Sequence, residues 1–465
     1  MFKKEVYIQR REQLRKTLGS GLILLLGNDE SPMNYADNPY HFHQDSTFRY
    51  FFGLDFPGLA GTLDCDTGED VIYGDDLTVE DFVWMGPQPT IAERSERFGI
   101  TKAAPVKQLV ENLQKESSKG RTIHFLPPYR PENKIKLFEW LGILPAESHS
   151  ESSIELIKAV IDQRNYKKPE EIEEIKKAVD ISVDMHRTAM RMVAPGVTEA
   201  EITAAVNHVA ESVGARMAFP IIATINGQTL HNHYHGNTLE SGQMFLLDAG
   251  AEVESGYAGD LSSTIPVDPH FTEVQKQIFN ISLDSHNTAI DMLKPGIPFK
   301  EVYLESARVI VRGLKDMGLM KGNVDDAVSN GAHALFFPCG LGHMMGMDVH
   351  DMEDLGEVYV GWGGQPKPTQ FGIKSLRLGR KLEPGFVLTI EPGIYFIPEL
   401  IDQWQETGNN KEFINFDRVN EFRNFSGIRN EEDILITDTG YEILGKPKPK
   451  SVEDVEAERA KDLPL

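Results

Sequence analysis

Met244-Phe245-Leu246-Leu247-Asp248-Ala249-Gly250-Ala251-Glu252-Val253-Glu254-Ser255-Gly256-Tyr257-Ala258-Gly259-Asp260 is the stretch from which the rest of the chain is read. A short apolar run ends on an aspartate and then reaches a glycine, as a buried strand does when it stops at a cleft. A second aspartate follows Tyr257-Ala258-Gly259, and Glu254-Ser255-Gly256 between the two has turn chemistry. The segment therefore reads as a hairpin that brings Asp248 and Asp260 together. Taken alone, an Asp-x-Gly marks a turn more often than a site.

Three further elements change that balance. Phe386-Val387-Leu388-Thr389-Ile390 runs into Glu391 and then Pro392-Gly393; Glu431 follows Arg429-Asn430 beside the apolar run Asp433-Ile434-Leu435-Ile436-Thr437. Acids at the ends of apolar strands are costly unless paired or bound to a cation. His343 lies in Cys339-Gly340-Leu341-Gly342-His343, where glycines permit close backbone approach, and His350 follows in Asp348-Val349-His350-Asp351. Four carboxylates and one imidazole suit divalent manganese, cobalt, zinc or iron, and four negative charges balance two such ions rather than one. Asp248, Asp260, His343, Glu391 and Glu431 thus predict a two-metal hydrolase.

Composition limits the alternatives. A chain of 465 residues exceeds what one core usually organises, so two domains are expected. With 47 Lys and Arg against 71 Asp and Glu, a net charge of −24 disfavours nucleic acid and anionic membranes as partners. Cys65 and Cys339 are too few for a disulfide scaffold, and Met1-Phe2-Lys3-Lys4-Glu5 leads into a polar helix, so a reducing cytoplasm is the expected location. Apolar runs such as Leu22 to Leu26 are far shorter than the roughly 20 residues that span a bilayer.

Residues 1–165 alternate helix and strand as an α/β domain, with a charged helix from about Glu5 to Leu18 and a buried strand from Gly21 to Gly27. In Phe48-Arg49-Tyr50-Phe51-Phe52-Gly53, Arg49 is expected to stack on neighbouring rings. A second domain, 166–465, opens with Pro169 in a first helical turn followed by Glu170 and Glu171. Another helix starts at Thr198 with a capping-box pattern. Pro195-Gly196-Val197 is echoed by Pro295-Gly296-Ile297, so this domain is expected to hold two related halves. After Lys446 the sequence has little to bury, and a mobile or loosely docked terminus is expected.

The ordered set DAGAEVESGYAGD (248–260), GLGHMMGMDVHD (340–351), LTIEPGIYF (388–396) and GIRNEEDILIT (427–437) resembles the pita-bread metallopeptidases, above all prolidase and aminopeptidase P. Residues 7–28 and 40–58 are similar to that family's amino-terminal domain, so the resemblance covers nearly the whole chain. It implies a smaller amino-terminal α/β domain followed by a pita-bread domain with pseudo-two-fold halves. It also implies that Asp248 chelates one metal, that His343 and Glu391 hold the other, and that Asp260 and Glu431 bridge them. Two ions, manganese in the first place with cobalt, zinc and iron as alternatives, would activate water and polarise the scissile carbonyl, with Glu391 accepting the proton.

By the same resemblance His231 lies near substrate, His350 stabilises the tetrahedral intermediate, and Arg429 stands beside the bridging glutamate. His233 and His235 flank His231 closely enough to compete for its role, and the three alternating histidines admit a separate metal site. The sequence departs from the family in an Asp248–Asp260 spacing one residue longer than usual, in Asn430 where an apolar residue is usual, and in Glu432 beside Glu431. Strand alternation lets one of the two glutamates face inward, and the arginine-x-glutamate match selects Glu431.

Both relatives cut before proline. Ser375-Leu376-Arg377 resembles the prolidase segment whose arginine takes a free proline carboxylate, since a guanidinium fork matches a carboxylate. The insertion running from Phe396 to Phe425 is also similar to prolidases and is expected to close one end of the cleft. Xaa-Pro dipeptides are therefore the expected substrates. Longer peptides with proline second are the alternative, and a metal-free peptide-binding module is a more distant one. A homodimer is compatible with the sequence without being specified by it.

Overall fold

Lys4–Leu18 forms the first helix; it buries Tyr7, Arg10, Arg11 and Leu14 and ends at Gly19, whose positive φ lets its N–H return to the Arg15 carbonyl. The strand Leu22–Leu26 follows. In the computed structural model, which describes residues 1–463, it sits inside a five-stranded sheet ordered Lys102–Ala104, Asp70–Tyr73, Ala60–Asp64, Leu22–Leu26, Ile123–His124. It runs antiparallel to Ala60–Asp64 and parallel to Ile123–His124. Leu22, Leu24, Ala60, Val71, Tyr73, Leu109, Leu113, Phe125 and Leu137 form a core against this sheet.

Every residue of the helix Ser46–Phe52 is buried. Ring stacking is the expectation for Arg49; its guanidinium pairs with Asp55 at 3.0 Å. An isolated buried charge is costly, and a carboxylate offsets that cost better than a ring face.

The chain divides into two units, Met1–Arg164 with Met352–Tyr359, and Asn165–Asp351 with the chain from Val360 onward. In the second unit, helix Pro169–Met192 carries its proline in the first turn, and helix Glu199–Ser212 is capped by Thr198, with Glu201 returning to the Thr198 N–H. A second pair, Glu273–Asp291 and Phe299–Asp316, repeats the arrangement. Gly196 donates to the Leu239 carbonyl and Leu239 to that of Val197, each at 2.8 Å; Gly296 donates to Leu382 at 2.8 Å and Leu382 to Ile297 at 2.9 Å. Both glycines have φ near +90°, a conformation other residues adopt only with strain.

Each half carries a three-stranded sheet. One is ordered Ser262–Pro266, Met244–Asp248, Ile222–Thr224; the other Val387–Ile390, Glu432–Ile436, Tyr441–Ile443. The repeated Pro-Gly segments thus open the two related halves that the sequence predicts.

The terminus corrects the sequence reading. Helix Val452–Arg459 is capped by Ser451 and buries Val452 and Val455. Lys448 is buried and donates to the Ser262 carbonyl at 2.6 Å, Lys450 pairs with Glu432 at 2.7 Å, Glu458 pairs with Arg191 at 2.5 Å, and Arg459 donates to the Val267 carbonyl at 2.9 Å. Cationic side chains meeting acids and strand carbonyls dock a segment that apolar content alone would leave loose. Pro464 and Leu465 lie outside the described residues. Among those described, no helix is long and apolar enough to cross a membrane.

Candidate metal centre

Asp248 ends the strand Met244–Asp248, which pairs with Ser262–Pro266 so that Asp248 stands opposite Ser262. Asp260 lies two residues before that partner strand. Between the aspartates Val253 N–H donates to the Tyr257 carbonyl at 3.0 Å and Gly256 N–H to the Val253 carbonyl at 2.8 Å, which forms the turn expected at Glu254-Ser255-Gly256. In the other half, Glu391 follows the strand Val387–Ile390 and its N–H is fixed to the Leu341 carbonyl at 2.8 Å. His343 is locked beside that strand: its N–H donates to Thr389 Oγ1 at 3.2 Å, and its carbonyl accepts from Thr389 N–H at 3.0 Å.

These ends converge. Asp260, His343 and Glu431 each offer a ligand atom within 4.8 Å of the others, and all three are buried. His343 Nε2 is 3.4 Å from Asp260 Oδ2 and 3.7 Å from Glu391 Oε1. Asp248 turns one oxygen to Arg429 Nη2 at 2.5 Å, while its Oδ1 and the Oδ1 of Asp260 are buried without a hydrogen-bond donor.

Burial first and neighbouring acids second push these carboxyls up. Asp260 rises to about 8 with Asp248 adding to the effect, and Glu391 rises to about 7 although His343 and Arg429 oppose it. Glu431 is held well above its ordinary range by burial, then by Asp260, Glu391 and Asp248. A cluster that resists ionisation without a cation, with two orphaned carboxylate oxygens and one imidazole, is a donor set that fits divalent metal. Glu432 points elsewhere, to Lys450 and to within 3.7 Å of His286 Nε2.

Arg429 organises the surroundings. Buried itself, it donates from Nε to Ser262 Oγ at 2.9 Å, from Nη1 to the Tyr395 hydroxyl at 3.0 Å and from Nη2 to Asp248. Ser262 Oγ in turn donates to Glu431 Oε2 at 2.8 Å.

The rings of His343 and His350 lie 4.3 Å apart, edge to face. His231 is exposed, and is pushed down by partial desolvation first and next by Arg429, with Asp248, Arg377 and His350 also felt. Arg377 is half-buried. His235 Nε2 lies 3.1 Å from the Ile221 carbonyl and His233 is exposed; neither joins a metal-type cluster among the described residues.

Asp433 escaped the sequence reading. It is fully buried, accepts the Asp260 N–H at 2.9 Å on Oδ2, and is pushed well above its usual range by burial and then by Asp260. Strand alternation was the available signal, since residues 431 and 433 share a face. Ser262 and Tyr395, both on Arg429, carried none.

Comparison with known proteins accords with this geometry. Residues 173–438 match the model of metallopeptidase family M24, and residues 7–124 that of the aminopeptidase P N-terminal domain. The human Xaa-Pro dipeptidase is 30% identical over 459 residues, covering 96% of this chain and 90% of its own. The Xaa-Pro aminopeptidase of Escherichia coli strain K12 is 31% identical over 469 residues, covering 98% and 97%. Among solved structures, proline aminopeptidase P II from Yersinia pestis superposes with a TM-score of 0.82 at 28% identity, over 99% of this chain and all of the other.

Proposed function

The chain belongs to metallopeptidase family M24, and on that premise we propose that it hydrolyses the peptide bond preceding proline, with Xaa-Pro dipeptides as its main substrates. Asp248, Asp260, His343, Glu391 and Glu431 are the residues we assign to two divalent ions, manganese before cobalt, zinc or iron. The observation that carries the reading is the buried group of Asp260, His343 and Glu431, with Glu391 against the same imidazole.

When bound, the metal pair would supply Lewis acidity toward the scissile carbonyl and lower the pKa of the attacking water. The protein's own groups do the rest. Arg429 fixes Asp248, and Ser262 fixes Glu431, so both carboxylates are oriented before any ligand arrives. Glu391, 3.7 Å from the His343 imidazole, is the group we assign to accept a proton from the attacking water and pass it to the leaving amine. His231 and His350 are the groups we assign to the substrate and to the developing oxyanion. Arg377, which His231 feels electrostatically, takes the free carboxylate of a terminal proline.

Catalysis is assigned to the second unit, and a reducing compartment such as the cytoplasm suits the two unpaired thiols Cys65 and Cys339. Similarity to the E. coli Xaa-Pro aminopeptidase favours a second reading, release of the first residue from longer peptides. The test compares proline release from an Xaa-Pro dipeptide with release of the first residue from an Xaa-Pro-Xaa tripeptide, using manganese-loaded protein at neutral pH. Dipeptide preference supports the first reading, and tripeptide preference the second. Cleavage of neither would sink both.

A further inference from the structure

Three non-glycine residues among those described have positive φ: Met352, Asn410 and Ser426. Asparagine tolerates that region, but serine at φ +82 is strained where glycine would not be. Ser426 stands immediately before the strand Gly427–Arg429, whose last residue is the arginine on Asp248.

The Ser426 hydroxyl makes two contacts to one loop. Oγ donates to the Ile225 carbonyl at 2.8 Å and accepts the Gly227 N–H at 2.8 Å. Beside it the two backbones touch directly, so that a Cβ on Gly227 would lie 2.7 Å from the Gly427 carbonyl oxygen. A second anchor is the buried Glu199 carboxylate, which accepts Ile225 N–H at 2.9 Å, Asn237 N–H at 3.1 Å and Asn237 Nδ2 at 2.9 Å; within the loop Asn232 Nδ2 donates to Thr224 Oγ1 at 3.1 Å and His235 Nε2 lies 3.1 Å from the Ile221 carbonyl. Between these anchors lie His231, His233 and His235.

We infer that Ser426 is a positioning residue, its hydroxyl setting the histidine loop in register with the strand of Arg429 so that His231 is presented to substrate. Glycine would satisfy the backbone and forfeit both hydrogen bonds; the strain is kept because the hydroxyl is needed. The inference rests on the proposed peptidase activity for its consequence, while the anchoring itself does not.

Ser426→Gly relieves the backbone and removes the hydroxyl, whereas Ser426→Ala removes the hydroxyl and keeps the strain. Both variants are expected to exchange amide hydrogens in residues 226–237 about thirtyfold faster than the parent, the factor that two lost hydrogen bonds of about 1 kcal/mol each represent. In both, KM for an Xaa-Pro dipeptide should rise about tenfold with kcat changed by less than about threefold. Ser426→Gly should melt no lower than Ser426→Ala. Unchanged exchange in Ser426→Gly overturns the anchoring, and faster exchange with an unchanged KM overturns the positioning role. If the parent cleaves no Xaa-Pro peptide, the proposed function fails, and the exchange experiment alone still decides whether Ser426 holds the loop.

Discussion

The carboxyl group of Asp433 accepts the backbone N–H of Asp260 at 2.9 Å, so one acid of the cluster is positioned by another acid buried behind it. Burial, and then Asp260, push Asp433 well above the usual carboxylate range. An asparagine amide has the same shape and its oxygen can accept the same N–H. Asp433→Asn should therefore keep metal affinity within about threefold, while Asp433→Ala, which leaves a buried N–H unpaired, should weaken it by about 10- to 100-fold. Calorimetric metal titration of chelator-stripped protein compares the two. Equal damage from both variants would show that the charge matters.

Asp260 also faces His343 at 3.4 Å and belongs to the buried donor group. Asp260→Asn should lower metal content, read by elemental analysis after dialysis, and cut turnover by more than about a hundredfold. A fully metallated and active variant would refute its assignment as a ligand.

Arg377→Ala should raise KM for Xaa-Pro dipeptides by about 10- to 100-fold, the range of a charge-assisted hydrogen bond, and affect Xaa-Pro-Xaa tripeptides much less. Equal losses on both substrates would remove the dipeptidase preference.

The pH dependence of the metal-free protein follows from two raised carboxyls, Glu391 at about 7 and Asp260 at about 8. In the unfolded chain both ionise near about 4. At these two groups the folded state binds more protons than the unfolded one between about pH 4 and about pH 8, while the buried neutral imidazoles of His186, His286 and His333 act the other way below about pH 6.5, so the loss of stability with rising pH is felt above about pH 6.5. Chelator-treated protein should melt lower at pH 8 than at pH 6, and manganese should restore most of the difference at pH 8, where the ligands deprotonate most readily. A melting temperature that rises with pH in the chelated protein would contradict this.

Lys448→Met keeps the aliphatic stem but removes the charged donor on the Ser262 carbonyl, which keeps the Glu431 N–H at 3.2 Å; losing a hydrogen bond from a charged group costs about 1.5–3 kcal/mol. Thermal melting should show the loss, whereas a loosely docked terminus would show none.

What could be read in advance had local signatures. Strand ends running from apolar residues into acid and glycine announced Asp248 and Glu391, and the repeated Pro-Gly segments announced the two halves. Ser262, Tyr395 and Asp433 had no such mark, because their roles arise from contact with Arg429 or with the backbone of Asp260, and sequence distance hides both. Around Lys448 the reading failed because low apolar content was taken for looseness, while the segment is fastened by cations on strand carbonyls and acids.

The first unit contains Met352–Tyr359 as well as Met1–Arg164. On the ribosome it stays incomplete until residue 359 has emerged, by which time most of the second unit's sequence has already been synthesised. Amino-terminal domains usually finish folding before later ones appear. Here the order is interleaved, and a fragment ending at Arg164 lacks the eight residues Met352–Tyr359 that group with it.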